Sequence, residues 1–262
     1  MDKLSASALP AAAPLLLVSV INPAEAQAAF EGDADVIDIK NPAEGALGAP
    51  LPGIIADICR NYKGKKPVSV ALGEFPGKTG AAALAALGAA QFRPDYLKIA
   101  FCAEVTRSEI VTTLQEIRQG VRFVQPEGIP LVAVVYADTL PRAVWTLKDF
   151  VAFVQEGGAQ GCLVDTEEKK GISLPHFLSK QQTEDFIADC HERRLFCGLA
   201  GSLKAEEIDS LLNLKPDLIG VRSAACGGDR LHGRVTPARV EAIKAHFTPR
   251  RETKDGRIGS AI

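Results

Sequence analysis

Two lysines stand inside short apolar runs of the kind that form buried strands. Lys40 closes Val36-Ile37-Asp38-Ile39-Lys40, and Lys98 lies within Tyr96-Leu97-Lys98-Ile99-Ala100. Burial penalises an ammonium group and favours the neutral amine. A neutral amine attacks carbonyls, so the pair points to Schiff-base chemistry. Each lysine also has a plainer reading: Lys40 pointing outward, paired with Asp38 or Glu44, and Lys98 as half of an ion pair inside the fold. A third group, Asp165, ends the run Gly161-Cys162-Leu163-Val164-Asp165. A carboxylate near two amines holds an imine or moves protons. Asp165 opens the charged stretch Thr166-Glu167-Glu168-Lys169-Lys170-Gly171, where Lys169 and Lys170 are either further amines of the site or part of a solvated turn.

These groups need a frame that gathers strand ends. Short β-rich runs alternate with helical segments eight times along the chain. The strands are predicted at Leu15–Ser19, Val36–Lys40, Val68–Leu72, Tyr96–Ala100, Leu131–Tyr136, Gly161–Asp165, Phe196–Ala200 and Leu218–Arg222. The helices are predicted near Ala26, Ile55, Leu84, Leu114, Val151, Phe186, Ile208 and Ala242. Pro23 sits just inside the first helix, Thr79 begins the third, and Thr236-Pro237 opens the last. Eight strand–helix units in one chain of 262 residues give a (β/α)8 TIM barrel as a single domain. An open doubly wound sheet competes, but it usually carries a Gly-rich turn after its first strand. Here that position reads Ser19-Val20-Ile21-Asn22-Pro23.

A barrel builds its site at the carboxyl ends of its strands. Those positions read Ser19, Lys40, Glu74, Lys98, Asp138, Asp165, Gly201-Ser202 and Arg222-Ser223. Lys40, Lys98 and Asp165 come from the second, fourth and sixth strands, and inward side chains of alternate strands share a layer, so the three are predicted to converge. Lys40 is followed by Asn41-Pro42-Ala43-Glu44-Gly45-Ala46-Leu47-Gly48, read as a loop that covers substrate. Two later loops suit an anion: Ala200-Gly201-Ser202-Leu203-Lys204, and Arg222-Ser223 leading through Ala224-Ala225-Cys226 to Gly227-Gly228-Asp229-Arg230. Backbone N–H groups there, with glycines permitting close approach, would hold a phosphate on Ser19, Gly201, Ser202, Arg222, Ser223, Gly227 and Gly228. Ordinary turn chemistry is the alternative. His176, His191 and His246 read as structural; His232, after the eighth strand, is a marginal candidate for the site.

Composition narrows the class. Apolar residues make up 47% of the chain, enough for a large core, and a net charge of −2 gives no nucleic-acid surface. No apolar run is long enough to span a membrane. The six cysteines form no CxxC pair and read as reduced core residues of a cytoplasmic protein. Lys3, the apolar segment to Ile21 and Ala24-Glu25-Ala26 imitate a secretory signal. Pro10 and Pro14 interrupt that segment, and the barrel needs its end as a first strand. Residues 1–13 and 248–262 are expected to be flexible tails flanking a catalytic domain at 14–247.

Five stretches, in order, carry a resemblance: Asp38-Ile39-Lys40-Asn41-Pro42-Ala43-Glu44-Gly45-Ala46-Leu47-Gly48; Tyr96-Leu97-Lys98; Leu163-Val164-Asp165-Thr166; Leu199-Ala200-Gly201-Ser202; and Gly220-Val221-Arg222-Ser223-Ala224-Ala225-Cys226 with Gly228-Asp229-Arg230. From about Leu15 to Phe247 the chain resembles the (5-formylfuran-3-yl)methyl phosphate synthases of methanofuran biosynthesis. The resemblance implies a (β/α)8 barrel that condenses two glyceraldehyde 3-phosphates, one by way of dihydroxyacetone phosphate, with loss of phosphate and water. Such an enzyme is a carbon–oxygen lyase acting on phosphates. Lys40 is then the Schiff-base lysine, Lys98 the proton acceptor, and Asp165 and Lys169 further catalytic groups. The chemistry fits an imine on Lys40 whose enamine attacks the second aldehyde. As a base Lys98 must be neutral near pH 7, with a second cation nearby, Lys40 or Lys169, to keep it so. No metal or organic cofactor and no nucleic-acid or membrane partner is implied, and a homo-oligomer is left open. The rival readings are another class I aldolase acting on phosphosugars and a non-catalytic phosphosugar-binding barrel.

Overall fold

The computed structural model describes residues 14–168 and 171–247. The eight apolar runs form parallel strands: β1 (Leu15–Val20), β2 (Val36–Ile39), β3 (Val68–Glu74), β4 (Tyr96–Phe101), β5 (Leu131–Tyr136), β6 (Gly161–Asp165), β7 (Phe196–Leu199) and β8 (Leu218–Val221). They pair in sequence order, and β8 returns to β1, closing the barrel. The predicted spans for β5 and β6 coincide with the strands; the others end one or two residues away.

Each connection carries helix. In order these are α1 (Pro23–Glu31), α2 (Pro52–Tyr62), α3 (Thr79–Ala90), α4 (Arg107–Arg122), α5 (Leu147–Gly157), the short α6 (Leu174–Phe177), α7 (Lys180–Glu192), α8 (Ile208–Leu212) and α9 (Pro237–Lys244). Each predicted helix centre falls inside one of them; the single turn α6 was not anticipated. Asn22 caps α1 by accepting the Glu25 N–H at 2.9 Å, with Pro23 at the first helical position. Thr236 precedes Pro237 as predicted, but its hydroxyl makes no capping bond. The Thr79 hydroxyl at the start of α3 instead bonds Thr113 of α4 at 2.7 Å.

Alternation along the strands builds two apolar layers. Leu16, Val18, Ile37, Ile39, Val70, Ile99, Val135 and Val164 face the helices, while Leu17, Val36, Ala71, Ala100, Val132, Val134, Tyr136 and Leu163 fill the barrel. The segment that imitates a secretory signal ends as β1 and α1, with Leu16, Val18 and Val20 fully buried. The expected tails lie outside the described residues. All six cysteines are free, five buried and Cys102 partly so. Among the described residues no helix is long and apolar enough to cross a membrane.

Candidate active site

On β2 the alternation places Val36, Asp38 and Lys40 on the inward face, and on β4 it places Tyr96, Lys98 and Ala100 there. Register aligns Ser19 with Asp38 and Asp38 with Ser69 across the first three strands. The outcome is a polar knot inside an otherwise apolar barrel. Asp38 is completely buried and accepts the Ser19 hydroxyl at 2.8 Å and the Ser69 hydroxyl at 2.5 Å. Lys98 Nζ stands 2.6 Å from the same carboxylate. Burial alone would push the Asp38 carboxyl up; the charges of Lys98 and Lys40, with hydrogen bonds from Lys98 and Ser69, outweigh it and hold the carboxyl below its usual range.

The paired state considered for Lys98 is therefore the one observed, and it takes Asp38. Lys40 points inward rather than outward. Its side chain is 6% exposed, and Nζ donates to the Ala46 carbonyl at 3.4 Å. Lys40, Lys98 and Asp165 line one pocket at the carboxyl end of the barrel, together with Ser19, Gly201, Ser202, Arg222, Ser223 and Arg230. The space at this strand end is about 450 Å³ with its open mouth included. Asp165 is 3% exposed and accepts the N–H of Thr166 at 2.7 Å. Asp138 fixes the start of the next loop through the N–H groups of Glu167 and Glu168, each at 2.8 Å. Lys169, and with it the choice between Lys169 and Lys170, lies outside the described residues.

The anion-facing side is built from backbone. Gly201 has φ +114°, and a Cβ there would stand 3.0 Å from Thr166 Cγ2 and 3.2 Å from the Thr166 nitrogen. Only glycine lets the segments after β6 and β7 approach this closely. Ser202 follows in the left-handed region at φ +49°. After β8, the bond from Cys226 N–H to Arg222 O at 2.9 Å makes one helical turn, whose first N–H groups begin at Ser223 beside the pocket. Gly227 and Gly228, both at positive φ, shape the turn behind it and do not line the pocket.

Arg222, expected on the phosphate, lines the pocket while its guanidinium is engaged by protein groups. Its guanidinium donates to Glu25 Oε2 at 2.7 Å and Oε1 at 3.4 Å, to Ser19 O at 3.0 Å and to Arg230 O at 2.8 Å. Glu25 is 4% exposed and also accepts the Ile21 N–H at 3.0 Å. The pair therefore ties α1, the end of β1 and the loop after β8 into one unit, with the Arg222 charge balanced by Glu25. Arg230, part of the Gly228-Asp229-Arg230 stretch, is the second guanidinium of the pocket. Burial pulls its pKa down, opposed by the charge of Asp165. None of the histidines lines this pocket; His191, His232 and His246 pair with Asp217, Asp229 and Asp209.

Glu25 and Arg230 were not singled out from the sequence, and Asp38 was read only as a partner for an outward Lys40. Asp38 was legible: with apolar Ile37 and Ile39 between, period two puts it on the Lys40 face. Glu25 has no local signal, because its partner is 197 residues away.

A closed parallel barrel with ionisable groups gathered at the carboxyl ends of its strands is the layout of a barrel enzyme. The sequence profile of the 4-HFC-P synthases matches residues 16–244. The (5-formylfuran-3-yl)methyl phosphate synthase of Methanosarcina acetivorans is 39% identical over 217 residues, 82% of this chain and 92% of that protein. The protein of the same name from Methanocaldococcus jannaschii is 36% identical over 233 residues, 88% and 98% of the two chains. The chain belongs to this synthase family. Among solved structures, KGPDC from Streptococcus mutans superposes with a TM-score of 0.61 at 12% identity, covering 90% of this chain and 97% of that one. A 3-hexulose-6-phosphate synthase gives 0.57 at 15%, covering 89% and 100%. These two likenesses concern the fold.

Proposed function

We propose that the protein is a (5-formylfuran-3-yl)methyl phosphate synthase that joins glyceraldehyde 3-phosphate to dihydroxyacetone phosphate through an imine on Lys40. The observation that carries this reading is the meeting of Lys40, Lys98 and Asp165 in one buried pocket beside the backbone turns at Gly201-Ser202 and Ser223. A phosphosugar is also what the name of one structural neighbour, the 3-hexulose-6-phosphate synthase, speaks of, and the family name supplies the product.

The product skeleton dictates the bonds. A furan with its formyl carbon next to the ring oxygen and its CH2–O–phosphate two carbons further on is branched. The new C–C bond must therefore reach the carbonyl carbon of dihydroxyacetone phosphate from C3 of the other triose. A dihydroxyacetone phosphate enamine adding to an aldehyde would give an unbranched chain. The Lys40 iminium therefore serves as the electrophile.

The sequence then balances. Glyceraldehyde 3-phosphate loses its C2 proton and its phosphate, leaving an enol whose C3 is nucleophilic. That carbon adds to the iminium, and elimination of the Lys40 amine forms the first ring double bond. The free hydroxyl of the former dihydroxyacetone unit closes on the adjacent ketone, and dehydration makes the ring aromatic. One phosphate and two waters leave, one water at imine formation and one at ring closure. No electrons are exchanged with an outside partner.

Lys98 gives a proton to the carbinolamine hydroxyl as water departs, and the amine so formed then accepts the C2 proton. Asp38 holds Lys98 in place through both states. Asp165 balances charge in the pocket, and the family resemblance gives Lys169 a further catalytic role. The retained phosphate rests on the backbone of Gly201, Ser202 and Ser223. Six free cysteines suit a reducing compartment, and we assign the reaction to the cytoplasm.

The test is to incubate the protein with glyceraldehyde 3-phosphate and dihydroxyacetone phosphate, follow near-ultraviolet furan absorbance, and trap with borohydride before peptide mapping. Furan formation with the label on Lys40, both lost in Lys40→Met, is the expected result. A label on Lys40 with no furan would make the protein an ordinary aldolase. The absence of both signals would overturn the imine chemistry.

A further inference from the structure

The segment after β2, residues 41–48, folds back over Lys40. The Asn41 N–H donates to Gly48 O at 2.8 Å, closing the loop, and Ala46 and Leu47 are buried inside the barrel with Ala71, Ala100 and Tyr136. Lys40 Nζ reaches Ala46 O at 3.4 Å, and the next N–H along, that of Leu47, donates to Glu74 Oε1 at 3.2 Å. The Tyr136 hydroxyl donates to the same Glu74 oxygen. Tyr136 is fully buried on β5, Glu74 ends β3, and the small inward Ala100 of β4 lies between them in strand order. Gly45 has φ +137°, and a Cβ there would come within 3.0 Å of Glu74 Oε2, so the loop is packed directly on the carboxylate.

Neither Glu74 nor Tyr136 lines the substrate pocket. Glu74 stands at a strand end, and one of its two carboxylate oxygens already serves Leu47 and Tyr136. A continuous path runs from the Tyr136 hydroxyl through Glu74 and the Ala46–Leu47 peptide to the Lys40 amine. We propose that Tyr136 and Glu74 are positioning residues that dock the 41–48 strap and thereby aim Lys40 at the substrate carbonyl. The aiming half rests on Lys40 being the imine-forming lysine; the docking half does not.

Two readouts separate these halves: hydrogen–deuterium exchange of the 41–48 peptide without substrate, and the rate of borohydride-trapped imine at Lys40. Both are measured in the full chain for wild type, Glu74→Ala, Glu74→Gln and Tyr136→Phe. Glutamine keeps an acceptor oxygen for both donors and is the conservative rescue. In the Ala and Phe variants exchange of the strap should rise, and trapping and kcat should fall by about tenfold or more while KM moves by less than about threefold. The Gln variant should stay close to wild type in both. Should Glu74→Ala fail to fold, Tyr136→Phe, which removes one oxygen, decides alone. Unchanged strap exchange in the folded variants overturns the docking, and a Gln variant as slow as Ala overturns positioning in favour of a role for the charge. Raised exchange with wild-type trapping overturns the aiming. A wild type that never labels at Lys40 sinks the Schiff-base reading and the aiming with it, while exchange still judges the docking.

Discussion

Replacing Asp38 with asparagine would remove one charge from a pair sealed inside the barrel. Lys98 Nζ lies 2.6 Å from the carboxylate, and the two side chains are 4% and 0% exposed. Breaking a buried pair by deleting one partner costs about 3–5 kcal/mol, because the other charge is left uncompensated. The asparagine oxygen still accepts a hydroxyl from Ser19 or Ser69, so the lower end, about 3 kcal/mol, is expected. For a chain of this size that corresponds to a Tm lower by about 6 °C or more. Urea unfolding at pH 7 gives the free energy directly. Asp38→Asn combined with Lys98→Met removes both charges and should recover most of the loss.

The pH dependence has a fixed sign. A carboxyl held below its ordinary 3.8 in the folded state contributes stability that is fully present above that value and lost as pH falls through the lower folded one. Wild type should therefore lose this contribution only below about pH 4, and the asparagine variant should lack that part of the acid limb. A single variant within about 1 kcal/mol of wild type, or a double variant no more stable than the single, would refute the cost assigned to an uncompensated buried charge.

Two further outcomes follow from the geometry. Glu25→Gln uncouples Arg222 from α1; it should cost about 3 kcal/mol and raise KM for the phosphate substrates more than it lowers kcat, checked by urea titration and initial rates. Cys102 is the partly exposed cysteine, with its thiol pushed up to about 11 by burial and the nearby Glu167 and Glu74 charges. At pH 7.5 about one molecule in 3,000 carries its thiolate, so iodoacetamide labelling of the native protein should be very slow and rise about tenfold per pH unit; fast labelling at neutral pH would contradict this environment.

What the sequence made legible is what has short period. Apolar pairs alternating along each run set the strand faces, so eight strands fell within one or two residues and Lys40, Lys98 and Asp165 met where strand order said they would. The same rule reached Asp38 and was not applied: with Lys40 inward, a residue two positions earlier on a strand must share its face, so a lysine and an aspartate so placed belong to one interior. The neighbour of Lys98 then depends on barrel closure order, which the count of eight units already implied.

Long-range polar pairing is what stayed hidden. Arg222 looked like a phosphate ligand because it ends β8 beside a Gly-rich turn, a local argument. Its partner Glu25 is one acidic residue in the first turn of α1, where a carboxylate is unremarkable because the helix N-terminus favours it. Only the return of β8 to β1 brings the two together, and a buried guanidinium offered a carboxylate and two carbonyls has little reason to wait for a ligand. The consequence is chemical. With Arg222 paired to Glu25 in the wall, the proposed reaction would leave the retained phosphate to backbone N–H groups and the pocket's positive charge to its amines and Arg230. A site arranged this way directs its cations to the atoms that change rather than to the phosphate that stays, as expected when charge stabilisation must be concentrated where charge develops.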